Sequence, residues 1–239
     1  MKTLHILSLF AVCALVAGCG GGGSATAAPP AAAVNGVPLA TAMASLINQG
    51  KSGSVSITGP VLALGQTVNV AGSGTYTETT AAATFEGIPG LRKHLDLAGS
   101  VSASGQTAPF SASTDAYYDS NYKPLGSTSA GSYCVTTAYT ALPATAQAGA
   151  SGAWISQDCY TSSSKLSKLG SGTVGYSVEA DSPNSAVVRF TTRLTDTAGN
   201  ALPSTASYRV TSSGTPTRLT DIATFSVSGA SFNLTISYQ

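Results

Sequence analysis

The chain has 239 residues, 11 Lys+Arg against 10 Asp+Glu, 43% apolar and 9% charged side chains. A near-neutral chain with so few charges offers no basic patch for nucleic acid and no polybasic segment for anionic lipid, so both partner classes are excluded. The abundance of Ser, Thr, Ala and Gly fits an exported β protein better than a cytosolic enzyme, and about 200 residues beyond the amino-terminal segments suffice for one sizeable core.

Lys2 opens the chain with a positive charge, and residues 4–16 are almost unbroken apolar sequence. At ~1.5 Å per residue that run spans about 20 Å as a helix, short of the ~30 Å hydrocarbon core, so it reads as a signal-peptide core and not as a membrane span. Small residues then lead to a cysteine: Val16-Ala17-Gly18-Cys19. This quartet resembles the lipobox of bacterial lipoproteins. The resemblance implies cleavage after residue 18, diacylglycerol on the Cys19 thiol, and acylation such as palmitate on the new amino terminus. Each buried CH₂ contributes about 0.8 kcal/mol, so two or three chains anchor durably where one does not. Gly20 stands where enteric lipoproteins retained at the inner membrane carry aspartate. The resemblance therefore implies the cell envelope, at the outer membrane facing the periplasm.

Residues 19–37 read as the lipidated cysteine and a flexible Gly/Ala/Pro linker, and residues 38–239 as a single β-rich domain. A helix is predicted over residues 38–49, with Leu39, Met43, Leu46 and Ile47 on one face, Pro38 in the first turn and Gly50 as the stop. Beyond Gly50 the period falls to two. Val55 and Ile57 alternate with serines, Val68, Val70 and Tyr76 follow, and Leu95, Leu97 and Val101 alternate with His94, Asp96 and Ser100. Gly72, Gly74 and Gly99 place no side chain inside, which means either space or a sharply bent sheet. Alternation is cleanest around Tyr176, Phe190, Tyr208 and Leu234. One polar and one apolar face per strand indicates an antiparallel sheet. Turn chemistry at 181–184, 196–200, 213–214 and 228–229 makes it a meander. About ten strands are predicted, forming a curved sheet or half-barrel with the one helix packed on it.

Cys13 leaves with the signal and Cys19 is acylated, so Cys134 and Cys159 remain as an even pair in an oxidising compartment and read as a disulfide. Closing a loop of about 25 residues would contribute about 3.5 kcal/mol in the chain-entropy model. Within their runs the two cysteines share phase with Ile155 and oppose Tyr133, Tyr139, Trp154 and Tyr160. Residues 141–152 lack alternation and read as a loop closed at its base by that bond.

One helix followed by a long antiparallel meander on a lipid anchor is similar to the half-barrel of Lol-type lipoprotein carriers. That resemblance implies a curved sheet around the helix and an apolar cavity for acyl chains. Residues 195–203 resemble the turn wording of bacterial immunoglobulin-like domains and read equally well as a plain hairpin turn.

Catalytic and metal motifs are not apparent. The serine elbow, the paired-histidine zinc pattern, the Walker A sequence and the dinucleotide glycine pattern are all missing. His94 is the sole histidine after Cys19, and it shares the solvated face of its strand with Asp96 and Arg92. It reads as a surface histidine and not as a triad base. Asp115 and Asp119 flank Tyr117 and Tyr118, with Tyr122 nearby; this group is either a sugar or peptide contact or an edge strand running into a polar turn. The expectation is a non-enzymatic protein without cofactor or metal. It would act as a binding or carrier module for a ligand that the sequence does not identify, an apolar molecule being one candidate. Alternatively it would be a structural lipoprotein contacting an envelope protein or polysaccharide. A hydrolase of unusual design is the third reading.

Overall fold

The computed structural model describes residues 36–63, 65–227 and 230–239. Cys19, the signal segment and nearly all of the linker lie outside the described residues. Helix α1 (Leu39–Asn48) precedes twelve strands: β1 (Lys51–Ala63), β2 (Gln66–Phe85), β3 (Ile88–Ala103), β4 (Gln106–Asp119), β5 (Pro124–Ser129) and β6 (Ser132–Tyr139), then β7 (Ser151–Tyr160), β8 (Lys168–Ser182), β9 (Ser185–Asp196), β10 (Ala201–Thr211), β11 (Pro216–Val227) and β12 (Ala230–Tyr238). Every neighbouring pair is antiparallel, and β1 pairs with β12, with Val55 opposite Tyr238, so the meander closes into a barrel.

The mostly β, antiparallel, single-helix expectation holds among the described residues, but the ten-strand half-barrel does not. Two strands escaped the alternation count for physical reasons. β5 is six residues long and carries Pro124 and Gly126. β11 contains a bulge: Tyr208 pairs with Arg218 and Ser207 with Thr220, so Leu219 is the extra residue and the period breaks there. Closure joins the two ends of the meander, a contact that no local pattern announces. The edge strand expected at Asp115–Asp119 is not one, because β4 is paired by β3 on one side and by the short β5 on the other.

Closure sets a space problem that the helix solves. Twelve strands about 4.8 Å apart and tilted about 40° form a ring roughly 24 Å across. Two layers of side chains, about 5 Å each, leave about 14 Å, enough for a helix 10–12 Å wide. The helix buries Leu39, Ala42, Met43 and Ile47 against Trp154, Val188, Phe190, Tyr208 and other inward residues of β7–β10. Its entry is fixed by a two-residue bridge, Val37 N–H to the Ala146 carbonyl and Ala146 N–H to the Val37 carbonyl, both 2.9 Å.

A second cluster, with Val55, Ile57, Tyr76, Leu97 and Ile236, fills the barrel where the helix does not reach, and Leu234 packs there and not against the helix. Here neighbouring strands approach closely. A Cβ on Gly74 would lie 2.2 Å from the Ala98 carbonyl oxygen, and one on Gly99 would lie 2.3 Å from that of Ser73. The glycines therefore serve close approach of strands and leave no space.

Cys134 and Cys159 are directly opposed on β6 and β7 and form the expected disulfide, with Cα atoms 4.0 Å apart. Trp154 departs from the sequence reading. Ala153 pairs with Gly175 and Ile155 with Val174, so Trp154 is itself a bulge residue and turns inward, 6% exposed.

Candidate functional site

Four charged side chains point into the barrel between the two apolar clusters. Glu78 lies in phase with Val70 and Tyr76 on β2, and Lys93 lies in phase with Leu91, Leu95 and Leu97 on β3. Arg218 and Asp221 are three residues apart, an odd spacing that would put them on opposite faces of a regular strand. The β11 bulge at Leu219 brings both inward.

The four form one charge-balanced chain. Lys93 Nζ lies 3.0 Å from Glu78 Oε2, Arg218 Nη1 donates to Glu78 Oε1 at 2.5 Å, and Arg218 Nη2 donates to Asp221 Oδ2 at 2.6 Å. The Tyr238 hydroxyl also donates to Asp221 Oδ2, at 2.7 Å, and its ring lies 4.5 Å from the guanidinium carbon. The side chains are only 4–13% exposed. Burial lowers the Lys93 pKa even though Glu78 counteracts it. Burial also opposes the charge on Arg218, but Asp221, the tyrosines and Glu78 outweigh it and hold the guanidinium well above its ordinary value. Burial, reinforced by the Glu78 charge, pushes the Tyr118 phenol up to about 12.

The cluster is wired to the helix. Thr80 Oγ1 donates to the Ile47 carbonyl at 2.5 Å, and Lys93 donates to the Gln49 carbonyl. Carbonyls at a helix C-terminus have no partner within the helix and carry partial negative charge, so a buried ammonium there satisfies both needs.

A cavity of about 120 Å³ lies between this cluster and the helix. Met43, Leu46, Ile47, Trp154 and Phe190 form its apolar wall; Glu78, Lys93, Arg218 and Asp221 form its polar wall. The arrangement can enclose and orient a small molecule.

The residues singled out from sequence lie elsewhere. His94 is on the outer face, its Nδ1 2.7 Å from Asp115 Oδ1 and its Nε2 2.8 Å from Asp96 Oδ2. Burial would lower its pKa, but the two carboxylates outweigh that and raise it. Asp119 is occupied by its own turn, accepting from the backbone N–H groups of Asn121 and Lys123. Tyr117 points outward and stacks on Phe85 with centroids 4.5 Å apart, while Tyr118 points inward to line the cavity. Tyr122 accepts a hydrogen bond from Asn48 on the helix. The Asp115–Asp119 group is thus divided between the two faces of the wall and does not converge on one site. Among the described residues no group of three or more His, Cys, Asp or Glu side chains could hold a metal.

Sequence reasoning passed over the internal charges. Phase alone would have flagged Glu78 and Lys93; Arg218 and Asp221 needed the bulge. No protein-family model, curated protein or solved structure matches this chain.

Proposed function

We propose that this protein is a lipid-anchored envelope lipoprotein whose barrel is a non-enzymatic binding module. It is exported, cut before Cys19, held on the outer membrane facing the periplasm by lipid on that cysteine, and takes its ligand inside the barrel. The observation that carries the binding reading is the internal cavity, about 120 Å³, with one apolar wall and one ion-paired wall. The buried Cys134–Cys159 bond supports an oxidising compartment. Two measurements test the proposal. Cys19→Ser should leave the protein uncut or released from membranes; a mature-length species still fractionating with membranes refutes the anchor. Mass spectrometry of small molecules extracted from the purified chain, joined to titrations followed through Trp154, the only tryptophan, tests the module. Neither a retained molecule nor any saturable response leaves the interaction reading instead.

That second reading, a structural lipoprotein meeting an envelope polysaccharide or protein, is favoured by the outer face of β12, β1, β2 and β3. Ser237, Ser56, Ser73 and Ser100 stand opposite one another in a single row across those four strands. Thr235 and Thr58 pair in the next row. An uncharged hydroxyl array is suited to hydrogen bonding with sugars. Ser73→Glu combined with Ser100→Glu should abolish co-sedimentation with isolated cell-wall polysaccharide if that reading holds.

A further inference from the structure

Resting on the internal-binding reading, we infer that the cavity takes an uncharged molecule about the size of one aromatic ring that carries a hydrogen-bond donor.

Size comes first. A cavity of about 150 Å³ accommodates benzene, whereas sites for drug-sized ligands run from about 300 Å³ upward. At about 120 Å³ this cavity belongs with the former. An extended acyl chain would have to displace the helix, which is held by Thr80, Lys93 and the Val37–Ala146 bridge.

The apolar wall favours a ring. Trp154 and Phe190 both line the cavity, with centroids 5.0 Å apart and planes tilted by 46°, so an aromatic guest has two ring partners for stacked or edge-to-face contact. The Met43 thioether adds an adaptable surface beside them.

The polar wall excludes net charge. Lys93 and Arg218 are matched by Glu78 and Asp221, and each cation is already engaged: Lys93 by Glu78 and the Gln49 carbonyl, Arg218 by Glu78 and Asp221. A charged guest would either leave an uncompensated charge in a water-poor interior or break one of these pairs, and both are costly. A neutral donor meets no such cost. Among the described contacts Glu78 Oε1 accepts from Arg218 and Oε2 from Lys93. A carboxylate oxygen can accept two, so acceptor capacity remains for an O–H or N–H.

The test uses the full chain in lipid nanodiscs, so that no detergent competes, and reads Trp154 emission and calorimetric heat. The probes are benzyl alcohol, benzylammonium, benzoate and dodecanoate. Benzyl alcohol should bind saturably and change Trp154 emission, with the two charged analogues weaker by about tenfold or more, a difference of about 1.4 kcal/mol. Ala116→Leu, which places a larger side chain on the cavity wall, should weaken benzyl alcohol binding by at least about tenfold while retaining the β circular dichroism. Ala206→Val serves the same purpose should that variant fail to fold. Benzoate or benzylammonium binding as tightly as benzyl alcohol overturns the inference, as does undiminished binding in the filled variant. Dodecanoate binding without the ring compounds overturns it too but leaves internal binding standing. If all four probes fail, the inference falls, while internal binding stands or falls on whether a molecule is extracted from the purified chain.

Discussion

Strands β7–β10 and strands β1–β3 line the same barrel and fill it in opposite ways. On the β7–β10 side the interior is wide. It takes the helix stripe and large side chains such as Trp154, Phe190 and Tyr208, while the outer face carries ion pairs, Asp158–Lys168 at 2.8 Å and Asp181–Arg209 at 2.7 Å. On the β1–β3 side glycines bring the strands together until a single methyl group would collide, and the outer face of β2 is largely serine and threonine, with ion pairs confined to the Arg92–Asp96 end of β3. Both halves bury apolar side chains, but the first depends mainly on large inward residues, and the second adds glycine positions where volume must be absent. The Glu78–Lys93–Arg218–Asp221 chain lies at the seam between them and contributes residues from β2, β3 and β11.

The seam should be the most sensitive place. Arg218→Ala leaves Glu78 and Asp221 buried without their shared partner, and losses of about 3–5 kcal/mol follow from breaking such a pair. Urea denaturation measures it, and a loss below about 1 kcal/mol, the scale of an exposed pair, would show that the cluster is solvated.

The helix side should fail when volume is removed. Ile47, 1% exposed, contacts the barrel wall deep in the plug, and Ile47→Ala should cost about 2–4 kcal/mol in the same assay. Little effect would mean that the helix is not a required plug.

Adding volume should break the glycine side. Gly74→Ala places a methyl group 2.2 Å from the Ala98 carbonyl oxygen, so a cost of about 1–3 kcal/mol is expected from overpacking. Alanine at exposed Ser73, one residue away on the outer face, should stay within about 0.5 kcal/mol. Equal effects at the two positions would erase the contrast between the halves.

The smallest effect should be on the outer surface. His94 has a raised pKa in the fold because Asp115 and Asp96 favour its charged form over the opposing effect of burial. Its stabilising contribution is therefore fully present below its ordinary value of 6.5 and is lost as pH rises through the raised folded value. His94→Asn should flatten the stability profile across that window, by less than about 1 kcal/mol for so exposed a group. An unchanged profile would show that the carboxylates do not hold the imidazolium.

Much of the architecture was legible because burial imposes a period. Alternation around Tyr176, Phe190 and Tyr208 is the direct imprint of a one-sided sheet. The stripe of Leu39, Met43 and Ile47 marks a helix with one buried face. Asp196 and Asn200 announce a turn because the Asp196 carboxylate accepts from the Ala198 and Asn200 N–H groups. The cysteine pair was legible by elimination and phase. The site was less so: Lys93 and Glu78 stand at inward phases, but a charged residue at such a phase looks like an interruption until its partner across the barrel is known.

The sequence by itself determined the helix, most of the strands and their inward faces, and the disulfide, since each is written in spacings of two to four residues or in the parity of the cysteines. Tertiary structure alone decided the closure of β1 on β12, the inward turn of Trp154 and Arg218 at their bulges, and the use of Gly74 and Gly99 for close packing and not for space. Closure and the glycine packing depend on contacts between distant strands. The bulges depend on where two strands come into register, and that register is set by the whole ring at once.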